Sequence, residues 1–338
     1  MTTQPSRRPI MGVTMGDASG AGPEIITKAW ADPAVREIAR LVVIGDAACM
    51  AQAMRITGVS GTIRAVERVA DAFYSADALD VLDLKNIDME RLEYGKVQAM
   101  SGKAAYEAVV RAVELAMANE IDAVVTSALN KEALNLAGYH YDGHTELLKE
   151  LTNAQSVTMM LTAGQFRVTH VSTHCSLRQA IERTRKERIL EVIHLTVQAL
   201  QQMGIAKPRL AVAGLNPHAG EGGLFGDEEV REIQPAIDAA IAEGIDVYPI
   251  PLPPDTVFYR MSSAGQFDAV VAMYHDQGHI PTKVLGFAEG VNVTLGLPII
   301  RTSVDHGTVF GKAGKGTADE TSLKRAIEVA VSMCSGRS

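Results

Sequence analysis

Short apolar runs alternate along the chain with longer segments in which apolar residues recur every three or four positions. Runs of the first kind, at residues 11–15, 41–44 and 121–126, predict buried β-strands. Segments of the second kind, at residues 103–118 and 178–203, predict amphipathic helices. This alternation is typical of an α/β protein built on a mainly parallel sheet.

Two further helices are predicted from the residues at their ends. Pro23 follows a glycine-containing loop at residues 16–22, and proline suits the first turn of a helix, so a helix is expected to begin there. Asp227 is expected to cap a helix that runs to residue 242, with Pro235 as a kink.

The length of the chain indicates two lobes. Its 338 residues exceed what one hydrophobic core usually holds. Because neither an internal repeat nor a low-complexity linker divides the sequence, we expect the lobes to be interwoven.

Composition and charge narrow the choice of partner and compartment. The net charge of −8 argues against a nucleic-acid partner, which would require a positive field. The three cysteines have neither zinc-site nor disulfide spacing, which is typical of a reducing compartment. No apolar stretch is long enough to span a bilayer, and residues 1–8 lack the hydrophobic segment of a signal peptide. We therefore expect a cytoplasmic protein without a membrane partner.

Three histidines each follow an apolar, strand-like run. The runs and their histidines are residues 166–172 with His174, 209–215 with His218, and 268–274 with His275. In open α/β sheets, ligands bind beyond the carboxyl ends of strands, so the three side chains can converge. Three imidazoles with an open position form a catalytic metal site. A single histidine of this kind is better explained by a cap or a hydrogen bond inside its own loop, and it is the repetition of the pattern that favours a metal site.

Three other groups of residues predict an anion site. The loop 16–22 lies between a predicted strand and a predicted helix, where backbone N–H groups favour an anion, although a tight structural turn remains the alternative. Thr145 offers a hydroxyl beside His144, with a helix N-cap as the competing interpretation. The cations Lys283, Arg301 and Lys131 are candidate walls of an anion pocket, since arginine binds phosphate through two donors.

These motifs resemble the 4-hydroxythreonine-4-phosphate dehydrogenase family, and the likeness covers nearly the whole chain. The segments that carry it are Gly143-His144-Thr145-Glu146, Thr173-His174, residues 214–221, residues 274–278, residues 292–298 and residues 301–308. Residues 16–24 also resemble the opening of isocitrate and isopropylmalate dehydrogenases. The resemblance implies two α/β lobes with a cleft between them and no Rossmann fingerprint. We expect residues 1–133 with 291–338 to form the cofactor-side lobe, and residues 134–290 the metal-binding and dimerisation lobe.

The resemblance also assigns roles residue by residue. The implied ligands of one divalent ion (zinc, magnesium, cobalt or manganese) are His174, His218 and His275, the third supplied by the other subunit of a homodimer. The implied substrate contacts are His144, Thr145, Lys283, Asn292 and Arg301. The implied cofactor segment is residues 305–316, and the cofactor contacts are Asn292, Asp305, His306 and Thr308. NAD is the expected cofactor and NADP the alternative.

The implied reaction is oxidation of the hydroxyl next to the carboxyl-bearing carbon of a phosphorylated four-carbon acid, followed by loss of carbon dioxide. A metal ion bound by three histidines fits this chemistry, because it can hold the reacting oxygen as a Lewis acid. Lys283 is the candidate proton donor or acceptor, with pairing to phosphate as the alternative.

Several positions depart from the family pattern. Ala18 and Ser19 stand where the family usually has proline and alanine, His279 replaces a leucine, and Gly311-Lys312 replaces an acidic–apolar pair. These changes favour a branch that acts on D-threonate or D-erythronate 4-phosphate, giving dihydroxyacetone phosphate, over 4-phosphooxy-threonine. A zinc-dependent hydrolase and an inactive phosphometabolite-binding protein are the alternative functions.

Overall fold

The strands of this chain are short, and most of them are buried on both faces. The computed structural model describes residues 7–141, 143–286 and 289–336. Within these residues the strands are β1 (Ile10–Thr14), β2 (Arg40–Gly45), β3 (Thr62–Val66), β4 (Ala78–Asp83), β5 (Ala123–Thr126), β6 (Thr158–Ala163), β7 (Phe166–His170), β8 (Leu210–Val212), β9 (Ala269–Ala272), β10 (Val291–Leu295) and β11 (Arg301–Val304).

Helices separate most of these strands along the chain, as the alternating pattern predicts. They are α1 (Gly22–Ala31), α2 (Pro33–Ile38), α3 (Ala47–Thr57), α4 (Ala99–Met117), α5 (Lys131–Leu136), α6 (His144–Thr152), α7 (Leu177–Arg183), α8 (Lys186–Gln202), α9 (Gln234–Ala242), α10 (Val257–Ser262), α11 (His275–Gly286) and α12 (Thr321–Ser335). No helix in the described ranges is long and apolar enough to cross a membrane.

The chain divides into two units, each formed by two segments. The first unit comprises Met1–Gln155 and Leu297–Cys334, and the second comprises Ser156–Gly296 with Ser335–Ser338. The divisions at 155/156 and 296/297 lie further along the chain than the boundaries expected at 133/134 and 290/291. The segment that carries α6 therefore belongs with the first unit, where α6 packs on α4.

The first unit holds parallel strands in the order β3-β4-β2-β1-β5-β11. The side chains of β1 and β5 are all buried, and β2 is buried at every position after Arg40. Apolar residues on both faces are the reason why these strands read as continuous apolar runs in the sequence. The loop 16–22 begins where β1 ends, and α1 follows it with Pro23 in its first turn, as predicted.

The second unit holds strands in the order β10-β6-β7-β9-β8. The pairs β10–β6 and β6–β7 are antiparallel, whereas β7–β9 and β8–β9 are parallel. The three predicted histidine strands are thus parallel neighbours, and their carboxyl ends lie at one edge. A core of aliphatic side chains from α8, α9 and β8–β9 covers one face of this part of the sheet.

Two predicted helices differ from the observed ones. The prediction of a single helix over 178–203 is wrong, because the chain breaks at Thr184–Arg185, where Arg185 is extended (φ −127°). Glu232 holds the break by accepting hydrogen bonds from the Arg185 guanidinium and the Lys186 N–H. The helix expected over 227–242 begins with a wide π-helical turn at Glu229–Ile233, which precedes Pro235.

Candidate functional site

The loops that carry His174, His218 and His275 follow β7, β8 and β9. His275 is the first residue of α11, and His174 lies four residues beyond the end of β7. Because these strands are parallel neighbours, the sheet brings the three loops to one edge. The order of the strands is the one that the prediction requires, and the convergence of the three side chains stays a prediction.

Two of the three histidines approach each other closely. The ring centroids of His174 and His275 are 5.7 Å apart. The Nδ1 of His275 lies 2.7 Å from Oδ1 of Asp276, so this ring donates from Nδ1 and carries its lone pair on Nε2. A carboxylate that orients an imidazole in this way is the usual support of a metal ligand, and the pair therefore fits a divalent ion.

His218 is placed differently. It lies in a turn of left-handed backbone (φ 53°), is exposed, and its ring is 6.2 Å from that of Phe225. Among the described residues, no three histidine, cysteine, aspartate or glutamate side chains are grouped closely enough to hold a metal ion. The structure thus brings together two members of the expected ligand set, and the role of His218 stays a prediction.

Gln277 ties two of these loops together, a role that the sequence pattern did not reveal. Its Oε1 accepts the N–H of Met273, and its Nε2 donates to the carbonyl of Gly214, both at 2.7 Å. The loop after β7 is held at the same place, since the Ser172 hydroxyl and N–H both donate to the carbonyl of Met273. These bonds hold the backbone just before His275 against the two neighbouring loops.

Two further histidines lie behind His275. His279, one helical turn along α11, stacks on the His275 ring with centroids 3.5 Å apart. His170, at the end of β7, lies 4.8 Å from His279 and is fully buried. Burial lowers the pKa of His170 to about 3, so its imidazole is neutral. The sequence analysis noted His279 as a departure and missed His170, which lies inside the apolar run at residues 166–172 and is the last residue of β7.

In the first unit, the buried Arg301 lies near the partly buried His144. Arg301, a predicted wall of an anion pocket, is 2% exposed and occupies the first position of β11. Its Nη2 donates to Oγ1 of Thr126 at 2.6 Å, and burial lowers the pKa of its guanidinium to about 9. Burial, and then the charge of Arg301, hold the pKa of His144 well below its ordinary value. His144 is therefore a neutral imidazole beside a cation.

Thr145 is the second residue of α6, whereas Gly143 occupies the N-cap position. The competing interpretation of Thr145 as an N-cap is therefore wrong, and its hydroxyl lies in the first turn of the helix. N–H groups and the positive end of the helix dipole favour an anion at such a position. The arrangement suits the phosphate role expected of Thr145 and Arg301.

The loop 16–22 packs on the segment expected to hold the cofactor. The N–H of Ala21 donates to the carbonyl of Thr308, and a Cβ on Gly20 would lie only 2.7 Å from that oxygen. The Glu24 carboxylate, buried on α1, accepts the N–H groups of Gly314 at 2.5 Å and Gly316 at 2.7 Å. Glu24 thus anchors the segment 305–316, a role that its position in the motif did not reveal.

Asp17 is a second buried carboxyl in this loop. Its Oδ1 accepts the N–H of Ser19, whereas Oδ2 is buried and has no hydrogen-bond partner among the residues that the structure describes. Burial raises the pKa of this carboxyl to about 6, because desolvation outweighs the backbone hydrogen bonds that favour the anion.

The expected cofactor contacts Asp305, His306 and Thr308 follow β11 and are partly exposed. The Nδ1 of His306 bonds the carbonyl of Gly307, and its Nε2 is buried with no partner in the described part of the chain. A buried ring nitrogen of this kind, beside the packed glycine loop, fits a polar ligand such as a dinucleotide.

The remaining predicted contacts lie in both units. In the second unit, Lys283 is partly buried on α11, and Asn292 lies on β10 with its Oδ1 buried and lacking a partner within the described ranges. In the first unit, Lys131 is exposed at the start of α5.

Comparison with known proteins places the chain in a family. The family model described as pyridoxal phosphate biosynthetic protein PdxA matches residues 37–330. The D-threonate 4-phosphate dehydrogenase of Salmonella typhimurium is 49% identical over 96% of this chain and 98% of its own length. The 4-hydroxythreonine-4-phosphate dehydrogenase of Beijerinckia indica is 48% identical over 95% and 94%.

Solved structures agree with this result. A 4-hydroxythreonine-4-phosphate dehydrogenase from Burkholderia phymatum superposes with a TM-score of 0.85 at 46% identity, covering 97% of this chain and 99% of its own. A β-decarboxylating dehydrogenase from Thermococcus kodakarensis, at 14% identity, shares the fold (TM-score 0.51, 95% of this chain and 81% of its own). The family resemblance and the α/β fold class predicted from the motifs are confirmed: the chain belongs to the PdxA family of dehydrogenases.

Proposed function

We propose that this protein is a divalent-metal- and NAD-dependent dehydrogenase that oxidises and decarboxylates a 4-phosphorylated four-carbon hydroxy acid. D-threonate 4-phosphate is the first candidate substrate, since that name is carried by the Salmonella relative, and 4-hydroxythreonine 4-phosphate is the second. The observation that carries the proposal is the His174–His275 pair, with Asp276 orienting His275, at the carboxyl ends of parallel strands.

The first unit supplies the proposed phosphate contacts. Arg301 is buried and held by Thr126, and the neutral His144 beside it adds no competing positive charge. A phosphate that meets the guanidinium offsets the cost of burying that cation. Because the phosphate is remote from the reacting carbon, its binding energy can position the hydroxyl for reaction.

The second unit supplies the proposed metal site, and the first unit the proposed cofactor contacts. His174, His218 and His275 would hold the divalent ion, and Asp305, His306 and Thr308 of the first unit would hold the adenosine part of NAD. When bound, the ion supplies a Lewis acid at the reacting oxygen, and NAD supplies the acceptor of the hydride. The chain must remove the hydroxyl proton and return a proton to carbon after carbon dioxide leaves. Lys283 is our candidate for these transfers.

The proposal is tested by assaying a panel of phosphorylated four-carbon acids with NAD and a divalent metal while following reduced nicotinamide. We expect turnover with D-threonate or D-erythronate 4-phosphate, and dihydroxyacetone phosphate and carbon dioxide as products. Hydrolysis of a substrate without NAD would instead indicate a zinc hydrolase. Binding of the phosphorylated acids without turnover at any metal would indicate a binding protein.

The metal assignment has its own test. Alanine variants of His174, His218 and His275 should each lose tight binding of zinc or cobalt and lose turnover, with an unchanged circular dichroism spectrum. The matched control is alanine at His194, a surface histidine on α8 that pairs with Glu243. Full activity of His218→Ala after chelation would refute the ligand set.

A further inference from the structure

The ring of His279 is fixed against the ring of His275. The two imidazoles are nearly parallel, with an interplanar angle of 11° and centroids 3.5 Å apart. The Nδ1 of His279 lies 2.9 Å from the backbone carbonyl of His275, so the side chain is bonded back to the residue on which it stacks. Only 7% of His279 is exposed.

His279 is also supported from behind. The buried ring of His170 lies 4.8 Å from it, and the position of His170 is held by a bond from its Nδ1 to the carbonyl of Met159 at 3.3 Å. This approach depends on Gly278, because a Cβ at that position would lie 2.3 Å from Nε2 of His170. His279 is therefore enclosed between a rigid strand residue and His275.

The stacked ring of His279 restrains the orientation of the His275 ring plane. The hydrogen bond from Nδ1 to Asp276 restrains rotation of the ring about its Cβ–Cγ bond, but one hydrogen bond still leaves the ring plane free to rock. A parallel ring at van der Waals distance removes this freedom. Outer partners that orient a metal-binding histidine commonly change metal affinity 10- to 100-fold.

We infer that His279 is a positioning residue whose flat face fixes the ring of His275 for the divalent ion. The inference rests on the proposed role of His275 as a metal ligand. It assigns the effect to the stacked face, and not to the bond from Nδ1 to the carbonyl.

Three substitutions separate these contributions. His279→Phe keeps a stacking face and loses the donor, His279→Asn keeps a donor near the position of Nδ1 and loses the face, and His279→Leu loses both. Binding of Zn²⁺ and Co²⁺ to the metal-free protein is measured by calorimetry, and the visible spectrum of bound Co²⁺ reports the geometry of its ligands. His194→Leu is the matched control on the surface.

We expect His279→Leu and His279→Asn to weaken metal binding about tenfold or more and to alter the Co²⁺ spectrum. His279→Phe should stay within roughly threefold of the unsubstituted protein, since stacking persists. If Asn preserves the affinity and Phe does not, the hydrogen bond is responsible and the inference is overturned. Equal affinity in all three variants overturns it as well. Thermal unfolding identifies any variant that does not fold. If His279→Leu is such a variant, the metal affinities of His279→Phe and His279→Asn alone decide between the stacked face and the hydrogen bond.

The same experiment distinguishes this inference from the proposed function. If His275→Ala binds the metal as tightly as the unsubstituted protein, the metal site itself is refuted. If His275→Ala abolishes binding while every His279 variant retains it, only the positioning role fails.

Discussion

Single buried polar residues set the chemistry of the first unit. Arg301 and Asp17 are almost completely buried, and the pKa of each is shifted by desolvation towards its neutral form. A buried ionisable group of this kind costs stability unless a ligand or a partner compensates for it. Both residues are therefore candidates for coupling between ligand binding and stability.

Replacing Arg301 should affect phosphorylated and unphosphorylated substrates differently. Arg301→Ala removes the proposed charge-assisted contact to phosphate, so kcat/KM for the phosphorylated acid should fall. The expected loss of transition-state stabilisation is about 2 to 4 kcal/mol. The unphosphorylated parent acid should lose little. Steady-state kinetics with both acids, at a saturating concentration of metal and NAD, measures the difference.

The effect of phosphate on thermal stability tests separately whether the buried Arg301 binds an anion. Inorganic phosphate should raise the melting temperature of the unsubstituted protein and leave that of Arg301→Met unchanged, because only a buried guanidinium gains from an anion. Thr126→Val tests the contribution of its hydroxyl to holding Arg301. An equal loss with both acids would mean that Arg301 binds the carboxylate or is structural.

Asp17 should make the protein less stable as the pH rises. Its pKa in the folded protein, about 6, is above the ordinary value of 3.8, so the folded state binds the proton more tightly than the unfolded state. The resulting stabilisation is complete below about pH 4 and is lost as the pH rises through about 6. Asp17→Asn should thus match the unsubstituted protein near pH 4 and exceed it by on the order of 2 kcal/mol at pH 7.

Urea unfolding between pH 4 and pH 8 checks this prediction. Asp319→Asn is the control, because hydrogen bonds from the Thr321 hydroxyl and N–H hold the pKa of Asp319 below its ordinary value of 3.8. Its stabilisation is therefore already almost complete at pH 4, and this variant should lose a nearly constant amount of stability across the range. A constant difference between Asp17→Asn and the unsubstituted protein across this range would show that Asp17 does not titrate there.

At the level of elements, two of the expected ligand segments are loops held by a residue of a helix. Glu24 of α1 holds Gly314 and Gly316, and Lys28 of the same helix donates to the carbonyl of Ala318. In the second unit, Gln277 of α11 holds the carbonyl of Gly214. Helices are more rigid than loops, so these bonds position segments that have little regular structure of their own.

Replacing Glu24 should therefore weaken the binding of NAD more than the binding of the metal ion. Glu24→Ala removes two charge-assisted hydrogen bonds to the segment 305–316, each of which typically contributes about 1.5 to 3 kcal/mol. We expect KM for NAD to rise at least about tenfold, while the affinity for zinc stays unchanged. Glu24→Gln should show a smaller effect, since its amide oxygen can still accept one of the two hydrogen bonds. Glu114→Gln, on the exposed end of α4, is the control, and a metal defect equal to the NAD defect would contradict this role.

At the level of the whole molecule, the assembly of the metal site is the main prediction. The family resemblance implies that His275 acts across a homodimer, whereas His174 and His275 already lie 5.7 Å apart within one chain. Mixing inactive His218→Ala and His275→Ala proteins distinguishes the two arrangements. A site shared between subunits should recover roughly a quarter of the original activity after random exchange, because half of the dimers hold one intact site.

Subunit exchange is verified with two affinity tags on the variants. No recovery in a verified mixed dimer would show that each site is built within one chain. His194→Ala mixed with His275→Ala is the control, and the mixed dimers that it forms should be active in both arrangements.

The sequence by itself determined the fold class and the elements that precede the site. Apolar runs specified β1, β2, β5 and the three histidine strands, because strands buried on both faces of a parallel sheet must be apolar throughout. The same runs placed His174, His218 and His275 at carboxyl ends. The motifs identified the family, because each is a short run of residues that can be recognised without knowledge of the tertiary structure.

Only the tertiary structure decided which side chains meet. The burial of Arg301, the anchoring of Gly314 by Glu24 and the stacking of His170, His279 and His275 all join residues from different elements. The break between α7 and α8 also depends on a distant residue, Glu232. The periodicity of a sequence shows which side chains share one face of a helix or strand. These contacts depend instead on how separate helices and strands pack together, which no local sequence pattern encodes.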